Sequence, residues 1–293
     1  MTLIRKPAVA GQFYPGTRSA LEHQLQTCFT EPRGPHNVPT IGKGHVPIKG
    51  YVVPHAGYIF SGAIAAHAYA HLAQNGFADT FVILGPNHTG MGSGVSVMTQ
   101  GTWETPLGKV PINEALATSI ATGIIDTDNT AHLYEHSIEV QLPFLQYIAR
   151  DHPFDFVPLC LAMQDFETAR DIGQNLSRAM KTSKKKIVII ASSDFSHAGF
   201  DYDSTPPSGV RVDVFAHQQD TLALEKIQQF DAQGLITIVY QNNITMCGYG
   251  PVAAMLIASK HQGATRAELL KYGTSYEVHP GSSCVGYGAV AIY

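Results

Sequence analysis

The chain has 293 residues, 44% of them hydrophobic, with a formal net charge of −4. That is enough for a substantial core, and no Pro/Ser-rich linker, charge block, repeat or low-complexity tract divides it, so a single domain spanning 1–293 is expected. The 19 Lys and Arg are scattered, which argues against nucleic acid or an anionic membrane as partner; no apolar run nears the roughly 20 residues of a membrane helix and residues 1–11 lack a signal-peptide core, so a cytoplasmic location is expected.

Thr17 to Phe29 has amphipathic helical spacing, and Glu31 to Gly50, rich in Pro, Gly and His, reads as a surface loop. Residues 50–53 form a buried strand whose turn, Pro54-His55-Ala56-Gly57-Tyr58, carries His55. Gly62 to Gln74 is a small-residue helix suited to close packing on a sheet; its His67 and His71 share a face but lack the Glu of an H-E-x-x-H site, so a partly exposed helical face is expected there. Thr80 to Leu84 is the next strand and delivers Gly85-Pro86-Asn87-His88 to its end. The loop Gly90 to Gly94 lacks the G-x-x-x-x-G-K-[ST] pattern, and no nucleotide cofactor is expected.

Thr102 to Gly108 looks like a tight reversal and Asn113 to Ala121 a helix. Ile138, Leu142 and Leu145 lie on one helical stripe, with Glu135, His136 and Glu139 at its start. Carboxylates in a first helical turn read as partners of the helix dipole, whereas His136 between two acids reads as an imidazole oriented by a carboxylate. Strand Phe156 to Cys160, helix Glu167 to Met180 and strand Ile187 to Ala191 repeat the β-α-β rhythm of a parallel sheet, with Lys184 to Lys186 a solvated turn. Val210 to Gln228 is a long helix, residues 242–251 open another, and Leu269 to Tyr272 and Val285 to Tyr293 are the closing strands. The expected architecture is α/β, a central mainly parallel sheet flanked by helices.

Three histidines, His55, His88 and His197, each follow a short apolar run by a few residues. Ends of parallel strands are where side chains from distant sequence converge, so this placement points to one polar site on a rigid sheet. Cys28, Cys160, Cys247 and Cys284 lie far apart with no C-x-x-C pair, which excludes a zinc knuckle, a thioredoxin-type motif and a disulfide scaffold. Cys247 precedes a helix start, where backbone N–H groups favour a thiolate. His55, His88 and Cys247 together offer two neutral imidazoles and one anionic donor, a set that leaves metal coordination positions open. Asp194 and His197 serve as hydrogen-bond partner and acid/base, with Phe13, Tyr58 or Tyr249 as the aromatic wall of the pocket. A Cys247-His197-Asp194 nucleophilic arrangement is the rival; it leaves His55 and His88 unexplained, and no G-x-S-x-G elbow supports a serine hydrolase.

Six ordered blocks, Ala10-Gly11-x-Phe13-Tyr14-Pro15, Pro54 to Tyr58, Gly85 to His88, Glu135 to Glu139, Ser192 to His197 and Cys247 to Pro251, resemble the Memo family, whose archaeal and bacterial members are named protein B of the AmmeMemoRadiSam system. The resemblance implies a fold like that of the class III extradiol dioxygenases, non-haem iron enzymes with two histidine ligands, one carboxylate and a catalytic histidine. By position His55 and His88 match the two histidine ligands, Cys247 the third, His197 the catalytic histidine, and Asp194 and Phe13 pocket residues; animal members carry tryptophan where this chain has Phe13. A thiolate in place of the carboxylate is softer and shifts preference toward copper(I) or zinc. The expectation is a mononuclear iron or copper site, zinc being a third candidate, with dioxygenase-like redox activity on a small molecule. The alternative is a non-catalytic binding or adaptor protein that presents the vestigial pocket to a peptide or protein. Animal members are reported to bind phosphotyrosine peptides in this pocket, a task that calls for an arginine fork, and no Arg cluster accompanies these motifs. Metal storage or delivery is a third possibility.

Overall fold

The computed structural model describes residues 3–44, 48–202 and 204–293. In chain order the regular elements are β1 (Ile4–Arg5), α1 (Arg18–Thr30), β2 (Gly50–Val53), α2 (Tyr58–Gln74), β3 (Thr80–Pro86), β4 (Val95–Val97), β5 (Thr102–Thr105), β6 (Gly108–Pro111), α3 (Glu114–Ile120), β7 (Asp126–Thr127), α4 (Leu142–Ala149), β8 (Asp155–Leu161), α5 (Phe166–Thr182), β9 (Ile187–Ser192), β10 (His197–Gly199), α6 (Val212–Gln228), α7 (Ala232–Gln241), α8 (Tyr249–His261), β11 (Ala267–Thr274) and β12 (Ser283–Ile292). No described helix is long and apolar enough to cross a membrane.

The apolar runs Tyr51-Val52-Val53, Phe81-Val82-Ile83-Leu84 and Ile187-Val188-Ile189-Ile190 are buried along their whole length, as strands covered on both faces must be. They form the middle of a nine-stranded sheet of order β10-β12-β2-β9-β3-β8-β4-β7, with β11 paired to β12. β2, β9, β3 and β8 are mutually parallel, while β12 joins β2 and β4 joins β8 antiparallel. One helical group, α1, α2 and α4, packs together and contacts the sheet through α2; a second, α5 to α8 with α3, is seated through α8 on β9, β3 and β2. α2 can lie close to the sheet because its buried residues include Gly62, Ala63, Ala65, Ala66, Ala68, Ala70 and Ala73.

Three expectations change in detail. α2 begins at Tyr58, four residues before Gly62, because the Gly57 carbonyl accepts from Ser61 N–H at 3.1 Å while Phe13 O takes the Tyr58 N–H at 2.8 Å. α7 is a helix the apolar spacing did not reveal; Asp231 opens it by accepting the Gly234 N–H at 2.8 Å. Glu135 and Glu139 are not in the first turn of an α-helix: α4 starts at Leu142 with Pro143 in its first turn, where proline needs no N–H partner. Both carboxylates are buried, so dipole compensation is not their role.

Glu139 is instead the anchor of the N-terminal segment. It pairs with buried Arg5 and accepts the backbone N–H groups of Ala8 (2.7 Å) and Val9 (3.1 Å) and the Tyr14 hydroxyl. Arg5 also donates to the carbonyls of His132 (2.9 Å) and Glu135 (2.6 Å), and its guanidinium lies 4.3 Å above the Trp103 ring. The Thr102–Gly108 reversal is the β5–β6 hairpin, and β1 pairs with β5 in a separate three-stranded sheet.

Candidate metal centre

Because β2, β9 and β3 are adjacent and parallel, with Val53 opposite Ser192 and Leu84 opposite Ala191, the turns after them open at the same edge. There His55, Asp194 and His88 meet, and the loop before α8 brings in Cys247. The donor atoms of His55, His88 and Cys247 all lie within 4.8 Å of one another. His55 Nε2 is 3.1 Å from Cys247 Sγ.

Hydrogen bonds fix which ring nitrogen each histidine presents. Ser192 Oγ donates its one proton to the Ser137 carbonyl (2.6 Å) and accepts from Gln141 Nε2 (2.8 Å), so at 3.0 Å from His55 Nδ1 it can only accept. His55 is therefore protonated on Nδ1, and its Nε2 lone pair faces the thiol. His88 Nδ1 lies 3.0 Å from Glu135 Oε1, and the same carboxylate takes the backbone N–H groups of His88, His136 (2.8 Å) and Ser137 (2.8 Å). Burial pushes the Glu135 carboxyl up, but the His88 bond, the neighbouring imidazoles and Ser137 N–H outweigh it and hold it down at about 2. An ionised Glu135 has no proton to give, so His88 donates from Nδ1 and its Nε2 is free. His197 Nδ1 lies 3.1 Å from the carbonyls of Phe195 and Thr245, both pure acceptors, which leaves its Nε2 free as well.

The donor set fits a metal ion. Ligand atoms at about 2.0–2.3 Å from one ion are at most about 4.6 Å apart, close to the spread observed. Burial, followed by the charges of His136, His88 and His197, drives His55 well below the ordinary imidazole range, so it is a neutral donor. Burial and the neighbouring Asp194 drive the Cys247 thiol well above its ordinary value. The expected thiolate stabilisation by a helix start is therefore outweighed here, and a bound cation is what would make the sulfur anionic.

Asp194 is nearly as buried as His55. Its Oδ1 accepts the N–H groups of His55 (2.8 Å) and Ala56 (3.2 Å), and its Oδ2 stands 4.0 Å from His55 Nε2. Burial raises its carboxyl, an effect opposed by His197 and by those two bonds. Gly248 lets the cysteine loop sit this deep: a β-carbon there would lie 2.5 Å from Ser192 O. The loop is pinned by Gly248 N–H to Ser193 Oγ (3.0 Å) and by Gln164, which bonds Cys247 O (2.9 Å) and Gly250 N–H (2.8 Å).

His55 and His88 open into a cavity of ≈ 420 Å³ whose lining also includes Phe13, His136, Asp194, His197, Val285 and Tyr287; Cys247, beside His55, is not among the lining residues. His136 stacks on His88 with centroids 4.6 Å apart and packs at a 41° tilt against Phe13 at 4.5 Å, and burial lowers its own basicity to about 4. Two expected wall residues are elsewhere. Tyr58 is buried beneath the site, its hydroxyl on Val140 O at 2.6 Å, and Tyr249 pairs with Tyr240 at 3.1 Å; neither is among the lining residues. Tyr287 and Tyr202, which do line the cavity, come from β12 and from the turn after β10; Tyr202 follows His197 by five residues and packs edge-on to its ring at 5.1 Å, while no motif marks Tyr287. Cys247 Sγ contacts His55 Nε2 and Asp194 O (3.5 Å), and among the described residues no hydrogen bond joins it to His197, which removes the geometric basis of the nucleophilic triad. A larger concavity of ≈ 680 Å³, lined by residues such as Arg18, Lys109 and Arg150, holds no clustered group of metal donors among the described residues and shares no lining residue with the histidine cavity.

A family model described as Memo-like protein matches residues 5–291. MEMO1 family proteins of Methanopyrus kandleri and Methanosarcina barkeri are 46% and 45% identical, over 98% and 99% of this chain and 98% and 100% of theirs. The crystal structure of an uncharacterized protein from Escherichia coli K12, 15% identical, superposes with a TM-score of 0.56 over 84% of this chain and 100% of that one, a likeness of fold.

Proposed function

The chain belongs to the Memo family, and from that premise and the cavity's donor set we propose a metal-dependent protein with a mononuclear iron or copper site that acts on a small molecule. His55 Nε2, His88 Nε2 and Cys247 Sγ would hold the ion. Such an ion, when bound, supplies Lewis acidity and electron transfer. The observation that carries the reading is the convergence of two imidazoles, each held by a bond at Nδ1, on one half-buried thiol, with all three donor atoms within 4.8 Å of one another.

The chain's own residues do the rest. His197 lines the cavity, and its Nε2, the ring nitrogen not engaged with the carbonyls of Phe195 and Thr245, would accept a proton from a substrate hydroxyl. Asp194 holds the His55 turn by two backbone bonds and keeps a second oxygen toward the site. Phe13, His136 and Val285 give the cavity apolar and aromatic walls that exclude water from a flat ligand. No Lys or Arg is among the described lining residues, so a small neutral or singly charged ligand suits the cavity better than a phosphopeptide. Cys28, Cys160 and Cys284 are buried and unpaired, in keeping with a reducing, cytoplasmic setting.

Metal content measured by mass spectrometry on protein purified without oxygen, chelator or nickel tests the proposal. About one iron or copper per chain, lost in His88→Ala, supports it; a wild-type protein that neither carries nor takes up metal overturns it and leaves a binding protein.

A further inference from the structure

Asp220 is a fully buried carboxylate in α6 that takes no part in the metal site. Both of its oxygens are engaged: Oδ1 accepts the backbone N–H of Ser196 at 2.7 Å, and Oδ2 the hydroxyl of Tyr272 on β11, also at 2.7 Å. Ser196 belongs to the short turn that carries Asp194 and His197 into the cavity. The same turn is laced to β12, Phe195 N–H to Gly286 O and Gly286 N–H to Ser196 O, each at 2.9 Å. To reach Ser196 the carboxylate passes directly against Gly286, where an added β-carbon would lie 1.8 Å from Asp220 Oδ2. Only glycine leaves that passage open.

An acid buried this deeply is an expensive way to satisfy one turn N–H and one tyrosine hydroxyl, which backbone carbonyls or waters would otherwise meet. What the carboxylate adds is direction. It grips the turn through Ser196, while Thr245 grips the next residue by accepting the His197 N–H (2.7 Å) and one of the Nδ1 contacts (3.1 Å). The geometry points to Asp220 as the positioning residue of His197, the group that sets the turn so that the ring keeps its proton on Nδ1 and offers Nε2 to the cavity. Asp220 touches none of the three metal donors, so its removal disturbs His197 and spares His55, His88 and Cys247. The inference rests on the reading of His197 as the proton-handling group of the site.

The test is NMR of ring nitrogens in full-length, metal-free protein labelled with 15N-histidine, together with iron uptake per chain. Wild type shows His197 as a single Nδ1–H tautomer. Asp220→Ala loses that signature, and Asp220→Asn, which still accepts the Ser196 N–H, restores it. Gly286→Ala keeps the acid but blocks its path and behaves like Asp220→Ala; it decides the matter if Asp220→Ala does not fold. In every variant the His55 and His88 signals and iron uptake match wild type. His197 signals unchanged in both disruptive variants overturn the inference, as do signals of all three histidines that shift together. Failure of the metal proposal reads out separately, as no iron bound by wild type, and leaves the His197 spectra interpretable.

Discussion

His55 Nε2 and Cys247 Sγ lie 3.1 Å apart although 192 residues separate them in the chain. What keeps the imidazole nitrogen bare is Ser192, and for His88 it is Glu135. Ser192→Ala and Glu135→Gln should each weaken metal binding by about 10- to 100-fold without touching a donor atom. Competition against a chelator of known affinity measures this, and wild-type affinity in both variants would show that ring orientation is set elsewhere.

Gly248→Ala should do similar harm from the other side. The added methyl would sit 2.5 Å from Ser192 O and 2.6 Å from Ser193 Cβ, so the loop must retreat and take Cys247 with it. Less metal per chain in a protein of unchanged circular dichroism is the expected result. Full metal content would mean that the loop has room to spare.

Glu139→Ala should destabilise the fold by roughly 3–5 kcal/mol, because it leaves the Arg5 guanidinium buried without its counter-charge. It also frees two backbone N–H groups and the Tyr14 hydroxyl. Urea denaturation gives the number. A loss under about 1 kcal/mol would contradict a role for the pair in holding the N-terminal segment.

His132 makes a prediction about pH. Among the described residues neither buried ring nitrogen has a hydrogen bond of good geometry, and burial, reinforced by Arg5 and only partly opposed by Asp128 and the Ser96 backbone, lowers its basicity from 6.5 to about 4. Between those values the unfolded chain binds the proton and the folded one does not. Its contribution is thus complete above about pH 6.5 and lost as pH falls toward about 4, an upper bound of about 3 kcal/mol at 1.36 kcal/mol per pKa unit. Asp220, raised by burial to about 6, works in the opposite sense, since its folded form takes up a proton first as pH falls. His132→Leu should therefore flatten the acid limb of a stability–pH curve measured by urea midpoints, and cost little at pH 7.5. An acid limb as steep as that of wild type would clear His132 of the effect.

The positions of the three strand-end histidines were legible because a buried parallel strand announces itself as an unbroken apolar run, and its end is then known to within a residue or two. Cys247 was legible by the same logic at a helix start. The groups that tune them were not. Ser192, Gln141 and Asp220 act across 137, 51 and 24 residues of sequence through contacts that have no local pattern. Tyr58 stands beside a site motif yet points into the core, since adjacent residues at a helix start face different ways, and proximity in sequence misplaced it as a cavity wall. The role of Glu139 has no local signal either, because its partners Arg5, Ala8, Val9 and Tyr14 lie more than a hundred residues earlier in the chain.

The place of β12 bears on how the molecule is assembled. This strand is synthesised after every other described element, yet it lies between β10 and β2. Until it leaves the ribosome, one edge of β2 has no neighbour, and Tyr287, part of the cavity wall, is missing. His55, His88 and Cys247 are all in the nascent chain by then. The side chains of the site can thus meet before the sheet closes, and insertion of β12 completes the wall last.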